Sequence, residues 1–368
     1  MRKLLLVLLC LFVAFSVFAG AQKEARSGDL DIGIVLPTKE ETRWLGDEAM
    51  FKKQIAELGY KAEILFSQNS SAIEKTNVET LITKGAKVII LCPFDATAAA
   101  AAVSDAHREG IPVISYDRLI LDSPYLDYYV TFDSFSVGEA MGQYLVDQAG
   151  NTKGNNLYLY SGALTDNNSL IFFEGAWHAL QPKIADGTFV IRNSSKAVEF
   201  SGNRNLSRDQ YTAIMATVDT EWDMQVSKSL AEAHLTANTS AAKGLVYVLG
   251  PADDDCARAL SDAFRADGEV SKLVITGADG VEASVQYLID GKQSMTVYKD
   301  PNALVTSSMA IVDSILNNKT VQYDTTYHNN SKEVPSIQAD VTTVTRDNIV
   351  EIFFDGGVYD GSKFVNWK

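Results

Sequence analysis

The sequence predicts a two-lobed α/β protein, two similar doubly wound parallel-sheet lobes in tandem. Three observations carry this: short apolar strands alternate regularly with helical patterns, the chain is long for one core, and no Pro/Ser-rich or highly charged linker interrupts it. Ile32 to Leu36 reads as a short buried strand. Asp47 to Leu58 follows with helical spacing at Met50, Phe51, Ile55 and Leu58, and Gly59 stops it. Ala62 to Phe66, Val88 to Leu91 and Val113 to Tyr116 continue as strands, with helices over Ile73 to Thr83 and Ala96 to Glu109 between them, each stopped by a glycine. The Ala-rich run 96–102 belongs to helix, since Ala is the strongest helix former.

A second series begins after Tyr128 to Phe132. Helices are expected at Val137 to Gln148, Leu170 to Leu180, Met224 to Ala237, Ala257 to Ala266 and Val281 to Ile289. Strands are expected at Leu157 to Tyr160, Phe189 to Ile191, Leu245 to Leu249, Leu273 to Thr276 and Ser294 to Val297. Two such lobes without a loose tether imply a hinge, with a ligand held where strand ends and helix starts face one another.

The N-terminus predicts export. Met1-Arg2-Lys3 is basic, Leu4 to Phe18 is apolar apart from Cys10 and Ser16, and Ala19-Gly20-Ala21 offers a small-residue cleavage site, placing the mature start near Gln22. The apolar core is shorter than the roughly 18 residues of a spanning helix. The net charge of −15 deepens to −17 once Arg2 and Lys3 are removed, which makes nucleic acid and anionic membrane poor partners. Cys92 and Cys256 remain of three cysteines, too few for a disulfide framework, and are expected as free, packed thiols.

Side chains that are costly to bury fall at the C-terminal ends of the predicted strands. Thr42-Arg43-Trp44 follows the first strand, Tyr116-Asp117-Arg118 ends the fourth, and Thr165-Asp166-Asn167-Asn168 follows the first strand of the second series. Trp222 precedes a helix, Asp253 begins another, and Asp279 and Lys299 close Thr276-Gly277-Ala278-Asp279 and Met295-Thr296-Val297-Tyr298-Lys299. Carboxylates, Asn, Arg and Lys suit vicinal hydroxyls that both donate and accept, and flat Trp rings suit the C–H faces of a sugar. Each residue also has a plainer reading. Asp253 could only cap a helix, Trp44 and Trp222 could be core aromatics, and Asp117 with Arg118 could form a structural ion pair.

Thr38-Lys39 with Arg43-Trp44, Ser115-Tyr116-Asp117-Arg118-Leu119-Ile120, Val130-Thr131-Phe132-Asp133 and Met295-Thr296-Val297-Tyr298-Lys299 resemble the D-xylose-binding and multiple-sugar-binding branch of the type I periplasmic binding proteins. Val334-Pro335-Ser336 and Asp355-Gly356-Gly357 extend the resemblance to the end of the chain. It implies capture of a monosaccharide, xylose or glucose, for an ABC importer, with permease subunits as partners and no cofactor or metal. The alternative it leaves is a sensor that presents sugar to a chemoreceptor or sensor kinase. By the same resemblance Arg43 and Arg118 donate to sugar oxygens, Asp117, Asp166, Asn168 and Asp279 bind hydroxyls, Lys299 completes the ring, and Trp44 and Trp222 sandwich the pyranose. Asp253 is a candidate beside them. Ala252 and Ala278 depart from the family pattern where polar or aromatic residues are common.

The resemblance also implies three crossings between lobes. The first lobe would comprise 30–133 and 299–318, and the second 134–298 and 319–368, with Asp133, Lys299 and Asn317-Asn318 near the hinge. Cys92 and Cys256 then fall on opposite lobes.

Enzyme chemistry is not expected. Each candidate carboxylate comes with Arg, Lys or Asn that would keep it ionised, and the chain carries no G-x-S-x-G turn, P-loop, G-x-G-x-x-G or Cys/His cluster among its 4 histidines. A sugar-responsive repressor would need a DNA-binding segment where the export signal lies.

Overall fold

The computed structural model describes residues 30–367. The segment read as an export signal lies outside them. Strands β1 (Ile32–Leu36), β2 (Ala62–Phe66), β3 (Val88–Leu91), β4 (Val113–Tyr116) and β5 (Tyr128–Phe132) form a parallel array in the order β5-β4-β3-β1-β2. Helices α1 (Thr42–Leu58), α2 (Ser71–Thr83) and α3 (Ala100–Arg108) connect them. Because side chains alternate across a strand, Val35, Ile89 and Leu91 face Leu81, Val103 and Ala106 of α2 and α3, while Ile34, Leu36, Val88 and Ile90 face Phe51 and Ile55 of α1. Helix α3 starts later than the Ala run suggests. Asp95 Oδ1 accepts from the backbone N–H groups of Thr97 (2.9 Å) and Ala98 (2.8 Å), which folds residues 96–99 into turns ahead of the helix.

The second lobe contains α4 (Ser134–Ala149), β6 (Asn155–Leu159), α5 (Asn167–Ala185), β7 (Phe189–Ile191), α6 (Ser195–Glu199), α7 (Arg208–Met215), α8 (Met224–Ala237), β8 (Gly244–Leu249), α9 (Asp254–Ala266), β9 (Val270–Ile275), β10 (Ala278–Asp279), α10 (Glu282–Ile289) and β11 (Met295–Tyr298). Helix α11 (Pro301–Leu316) packs Leu304, Val305 and Val312 back into the first-lobe core beside Phe51. Three further strands follow, β12 (Thr325–His328), β13 (Glu333–Ala339) and β14 (Thr342–Thr345).

Two expectations are corrected. Residues 325–339 belong to the first sheet: β13 pairs parallel with β5, β12 pairs antiparallel with β13, and the sheet has seven strands. The third return to the second lobe therefore falls between β13 and β14, because β14 pairs antiparallel with β11. The Asn317-Asn318 turn is a helix end within the first lobe, where Asn317 Nδ2 donates to Asp313 O at 2.9 Å. The second lobe is also not one sheet like the first. Its parallel strands run β7-β6-β8-β9, and β10, β11 and β14 form a separate three-stranded sheet. Ladder pairing breaks at Thr276-Gly277, where Ser294 N to Ile275 O (3.0 Å), Ile275 N to Ser294 Oγ (3.0 Å) and Val297 N to Gly277 O (3.0 Å) bridge the two sheets.

Helices α4 and α5 are in backbone contact. A methyl group at Gly138 would lie 1.8 Å from Phe172 O, one at Gly142 2.6 Å from Ala176 O, and one at Gly175 2.1 Å from Phe135 O, so no side chain fits at these positions. Cys92 and Cys256 are buried and free, and burial pushes both thiols well above their ordinary pKa.

Candidate functional site

The first turn of α1 brings Arg43 and Trp44, and the loop after β4 brings Asp117 and Arg118, to the edge of the first sheet; the starts of α5 and α9, the segment before α8 and strand β10 bring Asp166, Asp253, Trp222 and Asp279 opposite them. Lys299, just after β11, joins the group. Together they line a cleft between the lobes. Glu41, Phe172 and Ala252 complete its wall. The charged members are all buried, with 4–8 % of their surface exposed.

The charges pair both within the first lobe and across the cleft. Arg43 holds Asp117 (2.8 Å) from its own lobe and Asp279 (3.2 Å) from the other, and Lys299 reaches the same Asp279 oxygen at 2.7 Å. Arg118 pairs with Asp166 (3.1 Å) and Glu41 (3.3 Å), and not with its neighbour Asp117. Further contacts fasten the closed form: Ala96 N donates to Thr165 O (3.0 Å) and Thr42 N to Asp255 Oδ2 (3.2 Å).

These pairings set the protonation of the site. Burial pushes Asp117 upward, but Arg43, Lys299 and Arg118 outweigh it and hold the carboxyl below its usual range. Burial raises Asp166 and Glu41, and Arg118 only partly offsets this. Asp253 is driven well up by burial, with Asp279 and Asp255 adding repulsion. Five carboxyls thus face three cations, and every cation is paired, so the cleft offers no free positive charge to an anionic ligand.

Three site residues have left-handed backbone, Asp117 (φ 61°), Trp222 (φ 57°) and Asp279 (φ 97°). Such conformations persist only where surroundings hold them. At Asp117 a clasp on its carbonyl does so: Asn168 Nδ2 (2.7 Å), Tyr129 OH (2.9 Å) and Thr131 Oγ1 (3.2 Å) all donate to it. Asn168 is therefore spent on the Asp117 backbone and lies outside the cleft wall, unlike the other sequence-predicted residues.

Asp253 caps α9 by accepting from Cys256 N (2.6 Å) and also lines the cleft. Trp44 forms the first-lobe aromatic wall; its Nε1 donates to Glu41 Oε2 (2.8 Å), and the guanidiniums of Arg43 and Arg118 sit 5.1 and 5.2 Å from its ring. Trp222 faces it from the second lobe, edge-on to Phe172 at 6.4 Å, and closely covers Gly162. Glu41 and Phe172 were missed by sequence reasoning. Glu41 had a signal, standing three residues before Trp44 where a helical turn brings the two together; Phe172 had none, being one apolar residue among many on α5.

A two-lobed α/β molecule with a polar, aromatic-walled cleft assembled from both halves is a ligand-capturing protein. The chain belongs to the periplasmic binding protein family: the family model described as periplasmic binding protein domain matches residues 32–320. It is similar to the multiple sugar-binding periplasmic receptor ChvE of Rhizobium radiobacter, with 31% identity over 89% of this chain and 90% of that one. It is also similar to the D-xylose-binding periplasmic protein of Escherichia coli, with 27% identity over 98% and 99% of the two chains. Among solved structures, a carbohydrate transporter solute binding protein from Chloroflexus aurantiacus, in complex with D-glucose, matches with a TM-score of 0.90 and 54% identity, over 92% of this chain and 99% of that one.

Proposed function

We propose that this protein captures a monosaccharide, glucose ahead of xylose, by closing its lobes on the ring, and delivers it to the permease subunits of an ABC importer. Arg43, Arg118 and Lys299 donate to sugar oxygens, Asp117, Asp166, Asp253 and Asp279 bind hydroxyls, and Trp44 and Trp222 cover the ring faces. Asn168 acts one step back, on the Asp117 backbone. The observation that carries the reading is the pairing of every cleft cation with a carboxylate, which leaves hydrogen-bonding capacity but no unpaired cation to hold an anionic ligand. The similarity to a glucose-bound structure over nearly the whole chain favours glucose.

The lobes meet at three crossings, near Asp133, near Lys299 and between Ala339 and Thr342. Closure follows because a sugar contacting both lobes binds the closed state more tightly than the open one. Export by a cleavable N-terminal signal fits this task, and the protein is not an enzyme: the cleft carboxylates next to guanidiniums suit holding a ligand and not protonating a leaving group. A sensor role, presenting sugar to a chemoreceptor or sensor kinase, is the second reading, favoured by one relative's being named a receptor.

Calorimetric titration of the folded protein with glucose, xylose, galactose and arabinose tests the proposal. Saturable binding of glucose or xylose is expected. No heat from any of the four would sink it.

A further inference from the structure

Behind the cleft, at the first residue of α9, lies a carboxylate that does not touch the cavity. Asp254 is fully buried, and among the described residues no cation stands within ion-pair distance of it. Its Oδ2 accepts from the backbone N–H groups of Gly280 (2.8 Å) and Val281 (3.2 Å), its Oδ1 accepts from Gln293 Nε2 (2.6 Å), and Thr296 Oγ1 lies 3.0 Å from both oxygens. Thr296 Oγ1 in turn accepts from Gly280 N at 3.2 Å. One carboxylate therefore ties together the residues after β10, strand β11 and Gln293 just ahead of it.

The loop it holds carries Asp279, whose backbone is left-handed at φ 97° and whose carboxylate bridges Arg43 of the first lobe and Lys299. Asp254 accepts from both N–H groups that follow Asp279, sharing that of Gly280 with Thr296 Oγ1. The four-stranded ladder of the second lobe stops before Thr276-Gly277, so the two-residue pairing of Ala278-Asp279 with β11 is the sheet contact this turn keeps. The approach is close enough to require glycine: a methyl at Gly277 would lie 2.5 Å from Asp254 Oδ1 and 2.6 Å from Gln293 Nε2.

We propose that Asp254 is a positioning residue for ligand capture, holding the Gly277–Val281 turn so that Asp279 points across the cleft to Arg43. The inference rests on the sugar-binding reading above. Asp254→Asn keeps the size but replaces one acceptor oxygen with a donor, which faces N–H or O–H donors on either side.

The experiment is a double-mutant cycle on the full chain, read by calorimetric titration with D-glucose, after binding by the parent has been established. Asp254→Asn is expected to weaken glucose binding about 10- to 100-fold. In an Asp279→Ala background the same change is expected to cost less than about twofold, because the residue through which it acts is gone. Hydrogen exchange on the ligand-free protein supplies a readout that involves no sugar: the Gly280 and Val281 amides are expected to exchange faster in Asp254→Asn while those of β6 and β8 do not change. If Asp254→Asn does not fold, Thr296→Val, which removes one partner and leaves the carboxylate, replaces it and is expected to show a smaller loss of the same pattern.

Binding by the variant within twofold of the parent, or an equal loss in both backgrounds, overturns the proposal. A parent that binds no monosaccharide overturns the functional reading instead, and unchanged exchange at Gly280 and Val281 in the variant would then still refute the positioning role.

Discussion

The two lobes are built to different standards of continuity. The first is one seven-stranded sheet covered on both faces, while the second is divided into sheets of four and three strands that meet at Thr276-Gly277. Their contributions to the cleft differ in the same way. The first lobe supplies both guanidiniums, fixed beside Trp44, and the second supplies Asp166, Asp253 and Asp279 from loops and helix starts. A half that carries both guanidiniums with Asp117 and Glu41 beside them thus faces a segmented half that adds three carboxyls, and Arg43–Asp279 and Arg118–Asp166 join the two.

The largest effect is expected from removing the cation that the two halves share. In Arg43→Ala, closing the lobes would bury Asp117 without its ion-pair partner and leave Asp279 to Lys299 alone, and breaking a buried ion pair from one side costs about 3–5 kcal/mol. Asp47, fully buried and 3.5 Å from the same guanidinium, loses its partner as well, so a lower melting temperature accompanies the loss of affinity. Glucose binding measured by calorimetry is expected to weaken by more than about 100-fold. An affinity within tenfold of the parent would break the view that first-lobe cations hold the second lobe closed.

The first lobe contains a test of its own stability. Glu74, on α2, is buried and accepts from Phe94 N at 2.7 Å, and burial pushes its carboxyl up to about 7 from an ordinary value near 4.5. The folded state therefore binds this proton more tightly than the unfolded chain does. The stability linked to it is fully present below about pH 4.5 and is lost as pH rises through about 7, a total of roughly 3 kcal/mol. Glu74→Gln keeps an oxygen for Phe94 N and removes the titration. Urea unfolding at pH 5 and pH 8 should show the parent losing more stability over that interval than the variant, and parallel losses would refute it.

The second lobe has its counterpart in the α4–α5 contact. Gly138→Ala forces a methyl against Phe172 O, and overpacking of this kind costs about 1–3 kcal/mol. Because Phe172 also lines the cleft, the variant should combine a lower second-lobe melting transition with weaker sugar binding. A single transition at the parent's temperature would show that the two helices part without cost.

What the sequence made legible follows the same division. In the first lobe the parallel strands could be read because Ile32–Leu36 and Val88–Leu91 are continuous apolar runs, the signature of strands buried on both faces. The hairpin of β12 and β13 was not legible: Thr325–His328 is polar and only half-buried at a sheet edge, and nothing local tells which lobe it joins. The break at Gly277 was equally hidden, since Leu273 to Thr276 looks like any other buried strand and the reason for the break is Asp254 approaching from another element. For the site, position at strand ends found nine of the cleft residues. It could not separate Asn168, which serves the Asp117 carbonyl, from Asp166 two residues earlier, which faces the cleft. Both stand at the same helix start, and only the tertiary partner distinguishes them.

The smallest expected effect concerns Trp222, where the aromatic walls of the two lobes can be compared directly. Trp44 is fixed by its hydrogen bond to Glu41 and by two guanidiniums, whereas Trp222 is half-buried, its Nε1 has no hydrogen-bond partner in the protein, and its ring rests on Gly162 and Phe172. A ring so little engaged elsewhere is held for what it covers. Trp222→Ala should cost about 1–1.5 kcal/mol of sugar binding, close to tenfold in Kd, without affecting the charged contacts. Trp222→Phe should recover part of the loss, because the face of the ring and not its N–H makes the contact. If Trp222→Ala binds glucose as tightly as the parent, the sugar does not lie against the second-lobe wall, and the ring's task is confined to closing the space above Gly162.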